Sequence, residues 1–247
     1  MSQIKARIEA VTGRMAAAAR RAGRPVDEIT LVAVTKTHPV ETVIAAYQAG
    51  LRHFGENRVE EGTEKIAQFA AWLAEGDPPP VWHMIGHVQS RKVGEALRPY
   101  RLIHSVDSLK LAERIDRLAR RDDAPPVEIL LECNVSGEEA KYGFAVSRWS
   151  KDPAQFKTFI EQVSQIAALD KIVIRGLMTM APLVDDPKEA RPTFESLAAL
   201  RAGLWQELPD LDWSHLSMGM TDDFEVAIEA GATIIRVGRA LFGERNV

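Results

Sequence analysis

Lys36 is the residue around which chemistry is most readily organised. It follows the apolar, β-branched run LVAVT at 31–35, too short for a helix, and precedes Thr37, His38 and Pro39. Such a run reads as a buried strand with a polar mouth, halted by the proline. A lysine there has two readings. Its stem can snorkel and carry the ammonium to water. Alternatively, desolvation favours the neutral amine, which attacks an aldehyde and forms a Schiff base.

The far end of the chain supplies complementary chemistry in Ser217-Met-Gly-Met220 and Arg236-Val-Gly-Arg-Ala240. Gly238 lets the backbone approach an anion. The N–H groups of Gly238 and Arg239, opening a final short helix, point toward it, and Ser217 adds a hydroxyl. Glycines serve strand-to-helix turns equally well, so their weight here comes from position. The carboxylates in Thr221-Asp-Asp-Phe-Glu225 suit a helix start and repel a phosphate, which assigns the anion to the last strand's end. Arg236, alone in an apolar strand, needs a partner. A strand-end carboxylate, Glu56 or Glu132, is one choice; the ring nitrogen of a base linking Lys36 to the anion cradle is the other. Lysine for an aldehyde, a cradle for a phosphate and arginine for a pyridine nitrogen together describe pyridoxal 5′-phosphate.

These residues need elements to position them. Ile4, Ile8, Val11, Met15 and Ala19 recur at helical spacing, predicting an amphipathic helix that ends near Gly23 and Pro25. Strands are expected at 31–36, 53–57, 81–86, 102–107, 127–135, 172–180, 215–220 and 233–238. Helical segments follow each: 40–49, one ending near Leu73, 90–97, 109–120, 156–169, 187–204, 223–230, and one from Arg239. A polar loop is expected at 136–150. Eight strand–helix units without a linker predict a (β/α)8 TIM barrel, one domain over residues 1–247, with the helix at 1–24 packed on it. An open doubly wound sheet has the same element order. The strand count and the polar residues at carboxyl ends favour the barrel, whose first and last strands are neighbours.

Composition narrows the classes. The 247 residues are 46% hydrophobic and 27% charged, with net charge −4, so no broad positive field invites nucleic acid. Of five tryptophans only Trp149 has basic neighbours. Cys133 is the sole cysteine and sits in an expected strand, which forbids an intrachain disulfide and favours a cytoplasmic setting. Neither a signal-peptide core nor a membrane span is expected. His83 and His87 are separated by a strand end and Gly86, so no metal site is expected. His38, His53, His104 and His215 fall at or beside strands and read as hydrogen-bonded structural histidines.

The sequence also resembles the pyridoxal-phosphate homeostasis protein family, whose barrel is similar to the N-terminal domain of alanine racemase. The resemblance is carried over nearly the whole chain by Ala33-Val-Thr-Lys-Thr37, Phe54-Gly-Glu-Asn57, His83-Met-Ile-Gly-His-Val-Gln89, His104-Ser-Val-Asp107, Asn134-Val-Ser-Gly-Glu138 with Lys141-Tyr-Gly-Phe144, Gly176-Leu-Met-Thr-Met180, Leu216-Ser-Met-Gly-Met220 and Arg236-Val-Gly-Arg-Ala-Leu-Phe-Gly243. It implies Lys36 as the Schiff-base lysine, Ser217, Gly238 and Arg239 at the phosphate, Arg236 at the ring nitrogen, and Asn57 and Met180 near the ring. The implied function is binding, shielding and supply of the cofactor to apo-forms of dependent enzymes.

A carrier is expected rather than a catalyst, with no catalytic residues. An arginine at the pyridine nitrogen disfavours its protonation and weakens the electron sink. No second domain is expected to bring a racemase's opposing tyrosine. Tyr142 is the one tyrosine expected to reach the mouth, and Lys141 beside it is a candidate transient acceptor. The competing classes are a racemase-like enzyme, a Schiff-base aldolase acting on a phosphorylated sugar, and a non-covalent binding module. An uncovered mouth is compatible with a monomer, which is the expectation.

Overall fold

The computed structural model describes residues 2–243. Its strands are β1 (Thr30–Val34), β2 (His53–Glu56), β3 (Val81–Met84), β4 (Leu102–Val106), β5 (Val127–Asn134), β6 (Phe144–Ala145), β7 (Ile172–Met178), β8 (His215–Ser217) and β9 (Ile234–Val237). All pairings are parallel: β1 lies between β2 and β9, and β4 pairs with β5, so eight strands close a barrel. The two-residue β6 is an addition outside the ring, beside Cys133 and Asn134. It interrupts the stretch at 136–150 that was expected to be loop. The closed ring excludes the open sheet.

Helices α1 (Ser2–Arg21), α2 (Val40–Gln48), α3 (Val59–Trp72), α4 (Val93–Ala96), α5 (Leu109–Arg121), α6 (Pro153–Ala167), α7 (Arg191–Glu207), α8 (Phe224–Glu229) and α9 (Arg239–Phe242) surround it. The expected helices at 90–97 and 187–204 each open with a 3-10 turn, Ser90–Lys92 and Pro187–Ala190. Helix α1 lies against α8 and α9. Its Arg14 pairs with Glu225 and lies over the Phe224 ring, and Arg21 pairs with Glu229.

Strand alternation divides the core in two. Leu31 and Ala33 join the large cluster between strands and helices, whereas Val32 joins Leu102, Leu130, Met178 and Ile234 in a separate cluster inside the barrel. One glycine is required by this ring. Gly176 sits at a register shift in β7 with φ +145°, and a side chain there would stand 1.9 Å from the His215 carbonyl oxygen. No helix among the described residues is long and apolar enough to cross a membrane.

Candidate functional site

Strand β1 stops at Val34, earlier than expected, so Lys36 is not a strand residue but the half-buried second residue of a turn. Thr37 next to it has φ +66°, and the His38 amide closes the turn on the Thr35 carbonyl. The turn is anchored from α3 by a side chain that sequence reading missed. Lys65 is 5% exposed and donates to the Thr35 carbonyl at 2.7 Å, to Glu56 Oε1 at 2.6 Å and to Glu61 Oε1 at 3.1 Å. Thr35 Oγ1 also donates to Glu56 Oε1, and the Thr37 amide donates to Glu61. Burial raises the Glu56 carboxyl above its usual range, while Lys65 opposes the rise. Glu56 is therefore Lys65's partner, and its outward parity keeps it away from Arg236.

Arg236 points inward from β9. It is 4% exposed and donates from Nη1 to Ser217 Oγ at 2.6 Å and from Nη2 to the Thr179 carbonyl at 3.0 Å. Desolvation lowers its pKa to about 10, with Asp223 and Glu132 opposing, so it remains a cation at neutral pH. Glu132, on β5, is pushed up to about 7 by burial and by Asp107. Parallel register sets Val32 beside Arg236 and Ala33 beside Val237. Next comes Gly238, abreast of Val34: a methyl on Gly238 would stand 3.4 Å from the Val34 Cβ. Its φ is −119°, so backbone strain does not demand glycine there. Lys36 thus stands two residues beyond the level of Gly238, and Arg236 two below it on the neighbouring strand.

Two expected phosphate residues are placed differently from one another. Ser217 is fully buried, its oxygen taken by Arg236 and lying 2.8 Å from His104 Nδ1. The hydroxyl facing the opening turn of α9 belongs to Thr221, which accepts from the Ala240 amide at 3.4 Å. Arg239 turns its guanidinium to Asp222, leaving its backbone at that turn. The sequence signal for Thr221 was present, a hydroxyl just past the Ser217 motif. The carboxylates that follow it argued against the segment, and one of them is spent on Arg239.

Asn57 continues the inward parity of His53 and Gly55, and its Oδ1 is buried without a hydrogen-bond partner among the described residues. A buried acceptor left so costs free energy, and a ligand donor would satisfy it. Gly86 lets this backbone in, since a side chain there would stand 2.2 Å from the Asn57 carbonyl oxygen. Met180 is 38% exposed on the opposite rim. The loop after β5 joins the two rims. Lys141 Nζ donates to the Met180 carbonyl and pairs with Glu138, while Tyr142 stacks on His87 at 4.2 Å, and His87 meets Asp107 at 3.2 Å. Asn134 holds this strap by accepting from the Gly137 amide and donating to the Glu138 carbonyl. No group of three possible metal ligands is found among the described residues.

Lys36 in the turn beyond β1, Arg236 buried in β9 and Gly238 opening α9 lie at the same end of the barrel, and the chain as a whole is similar to known proteins. Residues 7–246 match the family described as alanine racemase, N-terminal domain. The pyridoxal phosphate homeostasis protein of Vibrio cholerae is 39% identical over 248 residues, covering all of this chain and 98% of that one. PipY of Synechococcus elongatus, solved without PLP, is 38% identical with a TM-score of 0.77, covering 94% of this chain and 99% of its own. The same protein with PLP bound gives 35% identity and a TM-score of 0.79, covering 97% and 100%. The chain belongs to the alanine racemase N-terminal domain family and, within it, to the pyridoxal phosphate homeostasis proteins.

Proposed function

We propose that this chain binds pyridoxal 5′-phosphate at the barrel mouth and acts in its homeostasis by holding, shielding and supplying it. The observation that carries the reading is the register of β1 with β9, which sets Val32 beside Arg236 and leads to Gly238 abreast of Val34, two residues before Lys36. Pyridoxal phosphate would supply an aldehyde able to condense reversibly with an amine, and Lys36 is the residue whose amine would hold it. The protein's own groups do the rest. Lys65 and Glu56 fix the turn that presents Lys36. The Gly238 and Arg239 amides and the Thr221 hydroxyl receive the phosphate, with Ser217 beneath them holding Arg236. Arg236 donates to the ring nitrogen, and Asn57 and Met180 flank the ring.

Supply rather than catalysis is supported by the charge at that nitrogen. Arg236 stays cationic and is a donor only, so the nitrogen it faces is kept unprotonated and the electron sink is weak. Tyr142, the candidate opposing base, is stacked on His87. We read the chain as a single cytoplasmic domain, active as a monomer, whose recipients are apo-forms of dependent enzymes. Lys141, in the strap over the mouth, is the candidate acceptor during hand-over. The test is titration of the cofactor-free protein with pyridoxal phosphate, followed by challenge with a panel of amino acids. The reading requires a yellow protein for the parent, none for Lys36→Ala, and amino-acid turnover no faster than the free cofactor gives. Steady turnover well above it returns the racemase-like alternative.

A further inference from the structure

A line of hydrogen bonds leads away from Arg236 through the barrel interior. Arg236 Nη1 donates to Ser217 Oγ at 2.6 Å, and Ser217 Oγ lies 2.8 Å from His104 Nδ1. His104 Nε2 lies 2.9 Å from His83 Nδ1, and His83 Nε2 lies 3.0 Å from His53 Nδ1. The five residues come from β9, β8, β4, β3 and β2. His104 and His83 are 0% and 3% exposed, whereas His53, at the amino-terminal end of its strand and opposite the mouth, is half-buried.

The direction of this line follows from counting hydrogens. A guanidinium only donates, so Ser217 Oγ accepts from Arg236. Desolvation lowers His83 to about 3 and His104 well below the ordinary range, so both rings are neutral, with a single N–H and a single lone pair each. Linked neutral rings then have two orders. If every N–H points toward Ser217, its oxygen accepts twice and its own hydrogen, fully buried, has no acceptor among the described residues. If every N–H points away, Ser217 donates to His104 Nδ1, His104 Nε2–H to His83 Nδ1, and His83 Nε2–H to His53 Nδ1. Every donor and acceptor in the line is then used. An unsatisfied buried hydroxyl decides for the second order.

We propose that His104, with His83 and His53 behind it, is a positioning residue that fixes the Ser217 hydroxyl as a one-way acceptor and thereby aims Arg236 at the cofactor's ring nitrogen. The role of Arg236 rests on the proposed function above, but the order of the line does not. Aligned hydrogen bonds polarise one another, so His104 strengthens the acceptor that Ser217 offers to the guanidinium. None of the three histidines touches the cofactor in this account, and each acts through the next.

The test begins with the cofactor-free protein labelled with 15N in histidine. Long-range proton–nitrogen correlation at neutral pH is expected to show the Nε2–H tautomer for His104, His83 and His53. An Nδ1–H tautomer or a cationic ring at His104 overturns the proposal, and this measurement needs no variant to fold. His104→Phe removes the acceptor, whereas His104→Asn returns an oxygen near the place of Nδ1. With pyridoxal phosphate added, His104→Phe is expected to bind about tenfold more weakly, the size of one hydrogen bond to a charged group. His104→Asn is expected to recover most of that loss, and the Arg236 guanidinium N–H signals of the cofactor-free protein are expected to exchange faster only in His104→Phe. Equal Arg236 exchange in parent and His104→Phe overturns the proposal. Failure of the parent to take up the cofactor instead refutes the proposed function, while the tautomers still decide the line.

Discussion

Replacing Lys65 by methionine tests how the Lys36 turn is held, and the structure sets the size and pH dependence of the effect. Lys65 and Glu56 form a buried ion pair, with side-chain exposures of 6% and 0%. Removing one partner of such a pair costs about 3–5 kcal/mol, because the other charge stays buried alone. Glu56 has an escape, which is to take up a proton. Its carboxyl is already raised by burial, and Lys65 is the main influence holding it down, so in Lys65→Met it rises further. A carboxyl whose folded value exceeds the unfolded one favours the folded state below the unfolded value and disfavours it as pH climbs. Keeping a carboxyl protonated above its unfolded value costs about 1.4 kcal/mol for each pH unit, so the variant loses stability relative to the parent as pH climbs. The stability gap between parent and variant should therefore widen from pH 6 to pH 8, where the cost of the bare buried charge sets a ceiling of about 3–5 kcal/mol. Urea denaturation followed by tryptophan fluorescence at both pH values measures it. Adding Glu56→Gln to Lys65→Met should flatten the pH dependence. A gap that is the same at both pH values, or below about 1 kcal/mol at pH 8, would refute the buried-pair reasoning.

Three further outcomes follow from single contacts. Thr221→Val removes the hydroxyl at the opening turn of α9, and pyridoxal phosphate affinity, measured by absorbance titration, should fall about 5–30-fold with unfolding midpoints little changed. Gly176→Ala forces a methyl to 1.9 Å from the His215 carbonyl at φ +145°, so soluble yield should collapse or the urea midpoint fall by the equivalent of about 3 kcal/mol or more. Tyr142→Ala unstacks the strap from His87, and release of bound cofactor to a trapping amine should quicken several-fold while the affinity of the Lys36 turn for the aldehyde changes less.

Much of this arrangement was legible in the sequence because strands buried on both faces write themselves as short apolar runs. The runs ending near Lys36, Arg236 and Ser217 were recognisable for that reason, and the isolated charge of Arg236 does point inward, whereas that of Glu56 points outward to Lys65. What escaped was whatever depends on register. Lys65 reads as one more polar residue on an amphipathic helix, and only the placement of α3 against the end of β2 turns it into the partner of Glu56. His53 and His104 were expected to be hydrogen-bonded structural residues, and both are bonded to His83, which sequence reading had weighed only as a metal ligand. Their separations along the chain carry no period that announces a line through the interior. Strand ends were overextended at β1 and β8, since Thr35 and Met218 suit a strand by residue type, while the turn at Thr37 and the positive φ of Gly219 are set by what they pack beside.

The central claim is that Lys36 is the amine that holds the cofactor, with other lysines of the mouth serving different ends. Incubating the cofactor-free protein with pyridoxal phosphate, reducing with borohydride and mapping the peptides by mass spectrometry addresses it directly. The account predicts one cofactor-sized addition on Lys36 and none on Lys65. An unlabelled Lys36, or an adduct that forms undiminished in Lys36→Ala, would contradict it.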